Sequence, residues 1–164
     1  MKKTIYDFMF GKHNKYSALL AVLVVFLVVS GCGGEKPSAP PTEAEAQTLV
    51  KNTMSDFATA IDSGNFSTFK SNASKEFQSQ YSDDQVKTTF KTFTDQKEDI
   101  VPILRAASGM NPKFSPAQTV REEKGYSILV TNGEFDTTPV PVKFQNEYVY
   151  QDGKWKLLKI DIKL

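Results

Sequence analysis

The chain has 164 residues, of which 20 are basic and 19 acidic, giving a formal net charge of +1. This near-neutral balance carries no basic footprint of the kind that nucleic-acid-binding domains show, so we expect no nucleic acid partner. Cys32 is the only cysteine. An internal disulfide is therefore excluded, and the folded part must be stabilised by its hydrophobic core.

The first 31 residues have the pattern of an export signal. Residues 18–29 form an apolar run, and the small residues Ser30 and Gly31 follow it. Four lysines make the preceding stretch basic: Lys2, Lys3, Lys12 and Lys15. Because roughly 20 apolar residues are needed to span a bilayer, we predict a cleaved signal peptide over 1–31, with an uncleaved signal anchor as the alternative. Met9 is an alternative start.

The segment Val29-Ser30-Gly31-Cys32 resembles the lipobox of bacterial lipoproteins. The resemblance implies a diacylglyceryl group on the Cys32 sulfur, cleavage before this residue, and Cys32 as the new amino terminus. Gly33, rather than aspartate, follows the cysteine. In lipoproteins of diderm bacteria this resembles the default sorting to the outer membrane, and in monoderm bacteria it implies the outer face of the cell membrane. We therefore expect an exported protein that is held on a membrane by a lipid anchor.

Removal of the signal peptide changes which charged and reactive side chains the mature chain contains. It takes away four lysines, one acid (Asp7) and the only histidine, His13, leaving 16 basic and 18 acidic residues and a net charge of −2. A chain without histidine, whose one cysteine carries lipid, has no imidazole or thiolate for a zinc site, a nucleophile–base pair or a general base. We expect no metal, no cofactor and no enzymatic activity.

Residues 32–42 comprise the lipidated cysteine and a tether. From Gly33 to Thr42 the sequence is rich in proline and small polar residues, which is typical of a linker. At roughly 3 Å per extended residue, it should hold the domain within a few tens of ångströms of the bilayer. Residues 43–164 are enough for one domain with a single core.

Helices are predicted for the first half of this domain. Thr42-Glu43-Ala44-Glu45 is a capping box, and apolar residues then recur at helical spacing until Gly64. Asn65 is a candidate cap for a short second helix. A further capping box lies at 82–85, and the helical half is predicted to end near Pro102.

Strands are predicted for the second half. The segments 118–123, 126–135, 140–150 and 155–164 are rich in β-branched and aromatic residues and are separated by turn residues. This order predicts an α+β fold, with N-terminal helices packed on a curved antiparallel sheet of about four strands.

This order of elements resembles the NTF2-like (cystatin-like cone) superfamily over residues 43–164. Four short motifs contribute to the resemblance: Asp62-Ser63-Gly64-Asn65-Phe66, Gly133-Glu134-Phe135, Val142-Lys143-Phe144 and Gly153-Lys154-Trp155-Lys156-Leu157. The resemblance implies a pocket between the sheet and the helices. It also implies that the outer face of the sheet is a candidate dimer interface, since relatives often dimerise there.

The register of the last hairpin depends on the length of its turn. A two-residue turn at Asp152-Gly153 places Phe144 opposite Asp161, which mixes core and solvent positions. A three-residue loop, 151–153, places Phe144 opposite Ile160. We predict the three-residue loop, with a bulge elsewhere in either strand as the alternative.

Three polar side chains are candidate ligand contacts. In the predicted register Asn146 and Tyr148 are the polar members of an apolar inward face, and Tyr126 joins them if the cone holds a ligand. The alternative is that they line a wet rim. No acid on this face stands out as a base, so catalytic residues of the superfamily's enzymes are not carried over. Trp155 is either an exposed recognition aromatic or, as we favour, packed over the hairpin.

Three functions are compatible with the sequence. The first is a membrane-anchored binding or accessory domain that holds a small apolar ligand or docks a partner. The second is a homodimeric interaction module with a filled cone. The third, which the sequence favours least, is an enzyme of the isomerase or dehydratase type.

Overall fold

The computed structural model describes residues 34–164. The predicted signal peptide, the lipobox and Cys32 lie outside the described residues. Within this range six helices precede five strands, which confirms the α+β class. The helices are α1 (Glu43–Ser63), α2 (Ser67–Asn72), α3 (Lys75–Gln80), α4 (Asp83–Thr89), α5 (Lys91–Asp95) and α6 (Lys97–Gly109). The strands are β1 (Lys113–Phe114), β2 (Thr119–Glu123), β3 (Tyr126–Phe135), β4 (Val142–Gln151) and β5 (Lys154–Lys163).

Helix α1 begins and ends where its caps predict. The Thr42 hydroxyl accepts a hydrogen bond from the Glu45 backbone N–H at 3.3 Å, and the Glu45 carboxylate accepts one from the Thr42 N–H at 2.7 Å. Gly64 ends the helix with φ of 65°, a left-handed conformation that glycine adopts without steric cost. One stripe of α1 is buried and supplies much of the core: Val50, Met54, Phe57 and Ile61.

The helical half extends beyond Pro102, so the predicted end near this residue is wrong. Pro102 lies inside α6, where it removes one backbone hydrogen bond. Val101, Leu104 and Ala107 of the same helix are buried in the core. Burial of this apolar stripe offsets the cost of the proline.

The five strands form an open antiparallel sheet. Its order is β1-β3-β4-β5, and β2 also pairs with β3, so that β1 and β2 follow each other along one edge of β3. The prediction of about four strands missed β1, which has only two residues and too short a pattern to detect. We call the face that carries Leu129, Phe144 and Tyr148 the inner face. It packs against the helices, and the opposite side is the outer face.

The last hairpin has the two-residue turn, so the predicted three-residue loop is wrong. Asp152 and Gly153 have φ of 52° and 73°, and Gln151 pairs directly with Lys154. A register shift beside Glu147 and Tyr148 restores the alternation, as the alternative required. Beyond the bulge the core pairs are Asn146 with Ile160 and Phe144 with Ile162, and before it Tyr148 pairs with Leu157.

Aromatic side chains fill the space between the inner face and the helices. Phe57 of α1 packs against Phe90 edge to face, with ring centroids 4.8 Å apart. Phe144 of β4 packs against Phe135 at 5.3 Å and against Phe114 of β1 at 6.1 Å. The interior where the superfamily resemblance implies a pocket is therefore largely occupied by the protein's own rings.

Candidate functional site

A chain of buried polar groups crosses the core from α1 to β4. The hydroxyl oxygens of Thr53 and Tyr148 are 3.0 Å apart, and the Asn146 side-chain amide donates to the Tyr148 hydroxyl at 3.2 Å. Thr53 also donates its hydroxyl proton to the Leu49 carbonyl at 3.0 Å. A hydroxyl has one proton, so Tyr148 must be the donor to Thr53. The direction of every hydrogen bond in this chain is then fixed.

Asn146 lies at the end of this chain of buried polar groups. Its side chain is fully buried, and its Oδ1 has no hydrogen-bond partner among the described residues. Buried polar atoms are almost always hydrogen-bonded, so this oxygen lowers stability unless it acquires a donor. Thr131 of the neighbouring strand, also buried, donates instead to the Asn146 backbone carbonyl at 3.3 Å.

The predicted ligand contacts are only partly brought together. Asn146 and Tyr148 both point inward, as expected, but both are fully buried, so neither lies on a wet rim. Tyr126 lies at the start of β3, where strand alternation from Leu129 puts it on the outer face. Tyr126 therefore lies on the opposite face of the sheet from Asn146 and Tyr148. The sequence alone contains no register for β2 and β3 from which its face could be predicted.

The environment of Tyr148 fixes its protonation state. Burial raises the pKa of its phenol to about 12, although its hydrogen bonds with Thr53 and Asn146 act in the opposite direction. A phenol with the ordinary pKa of 10.0 is already protonated at neutral pH, and the raised pKa keeps Tyr148 protonated to higher pH. It can donate and accept hydrogen bonds, but it cannot serve as a base.

A narrow groove opens above this chain, between α1 and the adjoining ends of α2, β4 and β5. Its volume is about 100 Å³. The apolar lining consists of Leu49, Phe69, Ala73, Trp155 and Leu157, and the polar lining of Asn52, Thr53, Asp56, Asn72 and Tyr148. Asp56 is the one carboxylate in this lining, and it accepts a hydrogen bond from the Asn72 amide at 3.2 Å.

Trp155 is the large aromatic of the groove. It is half-buried and packs edge to face on Tyr150, with ring centroids 5.3 Å apart. It thus packs on its hairpin, as favoured, while also lining the groove. The α1 members of the lining were missed from the sequence, although Leu49, Asn52, Thr53 and Asp56 have the spacing of one helix face.

A second, wider depression of about 300 Å³ lies where the end of α1 meets α4 and α5. Lys87, Lys91 and Asp95 are among its lining residues, and Lys91 pairs with Asp95 at 2.6 Å. Both partners of this pair are mostly exposed. An exposed ion pair of this kind contributes little to binding or stability, so the groove beside Trp155 is the stronger candidate site.

Neither a metal-binding cluster nor a membrane-spanning helix is present in the described residues. No group of cysteine, histidine and acidic side chains in residues 34–164 is arranged to hold a metal ion. In the same part of the chain, every helix is too short or too polar to cross a membrane.

No family model matches the chain, and no curated protein or solved structure was found to be similar to it.

Proposed function

We propose that this protein is an exported lipoprotein anchored through Cys32, with a non-catalytic NTF2-like accessory domain that binds a segment of a partner protein in the groove beside Trp155. The tetrad ending at Cys32 supports the anchor. The long helix α1 packed on the inner face of an antiparallel sheet supports the superfamily assignment. The observation that carries the binding proposal is the filled interior, beside which a narrow groove opens at Trp155.

The size of the groove favours a side chain over a free ligand. Small-molecule sites are usually clefts of about 300 to 1,000 Å³, several times the volume of this groove, about 100 Å³. One apolar side chain of a partner would contact Leu49, Trp155 and Leu157. Asn52 and Asp56 would then be available at the edge for the partner's backbone or a basic group. Half-buried tryptophans with polar surroundings are frequent hot spots of protein interfaces.

The groove lacks the elements of a catalytic site. Tyr148 is held protonated, and the carboxylate of Asp56 is already bound by Asn72. A nucleophile is activated by an adjacent base, and the side chains bonded to Tyr148 and Asp56 are the neutral ones of Thr53, Asn146 and Asn72. The amide of Asn72 cannot fill this role, since it neither accepts nor releases a proton at neutral pH. A binding function is the more economical account of these residues.

Photocrosslinking tests the proposal in the full chain, in the organism that makes it. A photoreactive residue replaces Asn52, which is exposed beside the groove, and a matched variant carries it at Gln145 on the outer face. We expect one defined protein adduct from position 52 that is lost on Trp155→Ala. Recovery of a bound small molecule from the native protein, or adducts that Trp155→Ala leaves unchanged, contradicts the proposal.

A second candidate is a homodimer formed through the outer face. Ile128 and Val149, paired across β3 and β4, are only 5% and 2% exposed although they lie outside the main core. Beside them Arg121 donates to Glu147 at 2.9 Å. Because the chain itself already covers this pair, a two-fold contact would be made by the half-exposed outer-face residues beside it, such as Val130 and Gln145. The Gln145 variant tests this candidate, because a crosslink from position 145 to a second copy of the chain would support it.

A further inference from the structure

The first described residues are held against one end of the sheet. This turn end consists of the β2–β3 turn at Lys124-Gly125 and the β4–β5 turn at Asp152-Gly153. The Glu35 carboxylate accepts a hydrogen bond from the Gly153 N–H at 2.9 Å. Lys36 forms an ion pair with Glu122, at the end of β2, at 3.2 Å. The first described residues of the predicted tether therefore contact the turn end of the sheet.

Gly34 fits this position because it has no side chain. A Cβ at residue 34 would lie 2.6 Å from the Gly125 carbonyl oxygen and 2.7 Å from a ring carbon of Tyr126. The first distance is to backbone, so the clash could not be relieved by rotating a side chain. Gly34 thus permits a close backbone approach to the turn, a requirement that the composition of a flexible linker does not impose.

We infer that the turn end faces the bilayer and contacts the lipid headgroups. The inference rests on the proposed lipid anchor at Cys32. Gly34 lies against the turn end, and only two residues of chain, about 7 Å if extended, separate it from Cys32, so an anchor at Cys32 would tether the domain by this end. A tether held in this way brings the domain to the membrane in one orientation.

The charges at the turn end suit an anionic lipid surface. Most of its acids are paired with bases: Asp152 with Lys75 at 3.3 Å and with Lys156 at 2.7 Å, Glu122 with Lys36, and Glu123 with Arg121 at 3.0 Å. The Glu35 carboxylate accepts the hydrogen bond from the Gly153 N–H. Lys124 and Lys154 are exposed, and no ion pair within residues 34–164 engages either of them. Two unpaired ammonium groups then face the phosphates, and basic groups close to a membrane are attracted to anionic lipids.

This orientation also places the groove near the membrane surface. Trp155 follows Gly153 by two residues, so the groove opens close to the turn end. The opposite end of the sheet carries the β3–β4 loop. It lies about 30 Å away, given ten residues in β3 at roughly 3.3 Å each. The partner segment must therefore approach near the membrane surface.

Fluorescence quenching on vesicles tests the orientation with the full-length processed protein. Because Cys32 carries the lipid, a cysteine introduced elsewhere is the only free thiol of the mature chain. One variant carries the fluorophore at Glu123→Cys, at the turn end, and its matched control at Val140→Cys, in the β3–β4 loop; both sites are exposed. With quencher-labelled headgroups in vesicles containing phosphatidylglycerol, we expect loss of fluorescence at position 123 and none at 140.

Substitutions in the tether test its contact with the turn end separately from the lipid anchor. Gly34→Ala should reduce the quenching at position 123, whereas Gly109→Ala should not, since a Cβ there meets nothing within 4 Å. Lys36→Glu should act like Gly34→Ala, and adding Glu122→Lys should restore the quenching. Equal quenching at 123 and 140 on vesicle-bound protein overturns the orientation alone. Protein that stays off the vesicles overturns the lipid anchor and the orientation together.

Discussion

The Tyr148 hydroxyl lies 3.0 Å from the Thr53 hydroxyl, and this contact joins strand β4 to helix α1 across the core. The two residues are 95 positions apart in the chain. Both are buried, so no bulk water competes for the hydrogen bond. Both residues line the groove, so the contact forms part of its floor.

A double-mutant cycle should detect this contact as a coupling energy. Tyr148→Phe and Thr53→Val each remove one hydroxyl while keeping the shape of the side chain. We expect the two changes to be non-additive by about 0.5 to 1.5 kcal/mol, the usual net value of one hydrogen bond. Urea unfolding of the four proteins measures it. Strict additivity would mean that the hydroxyls do not interact.

Stability at high pH should depend on Tyr148. Its folded pKa of about 12 exceeds the ordinary value of 10.0, so the unfolded chain loses the phenol proton first. The stabilisation is complete below pH 10 and declines as the pH rises towards 12, by roughly 2 to 3 kcal/mol in all.

Tyr148→Phe isolates this contribution. Burial raises the pKa of Tyr81 as well, so the wild type and the variant should both lose stability in alkali, the wild type more steeply. Unfolding free energies measured between pH 9 and 12 give the difference. Parallel curves would show that Tyr148 ionises as readily in the folded protein as in the unfolded chain.

Asn146→Leu should cost little stability. The substitution removes one hydrogen bond to Tyr148 and, with it, the Oδ1 atom that has no partner. These two effects oppose each other, so we expect a change below about 1 kcal/mol in unfolding free energy. A loss above about 3 kcal/mol would show that Oδ1 has a donor that holds it in the folded protein.

The aromatic core should be sensitive to truncation on both of its sides. Phe57 of α1 is fully buried and Phe144 of β4 is 4% exposed. Replacing either with alanine should lower the unfolding free energy by about 3 to 5 kcal/mol. As a control, Val140→Ala changes a side chain that is 38% exposed and should have a small effect. Losses below about 1 kcal/mol at both phenylalanines would contradict the packing described.

Local sequence patterns account for much of the fold. The bounds of α1 followed from Thr42 and Gly64, because caps act through neighbouring backbone groups. Pro102 misled the prediction, because burial of the surrounding helix face is a tertiary effect that outweighs the local cost of a proline. The last hairpin was misread for a similar reason: nothing in the sequence locates a bulge beside Glu147, and an extra residue there changes which loop length fits.

The candidate site was harder to predict, since its parts come from distant segments. Asn146 and Tyr148 share a strand face, and strand alternation was enough to point them inward. Thr53 is an ordinary polar residue on an amphipathic helix, so its contact with Tyr148 could not be found without the packing of α1 on the sheet. The contact of Gly34 with the turn end could not be predicted either, because glycine in a proline-rich segment is typical of a flexible linker.

Lipid anchoring at Cys32 can be read from the mass of the mature amino terminus. Protein is taken from the membrane fraction of its own host, and its first peptide is analysed by mass spectrometry. We expect a peptide that begins at Cys32 and carries a diacylglyceryl group, and we expect Cys32→Ala to leave the signal uncleaved. A peptide that retains residues before Cys32, or that contains Cys32 without lipid, would rule out the proposed anchor.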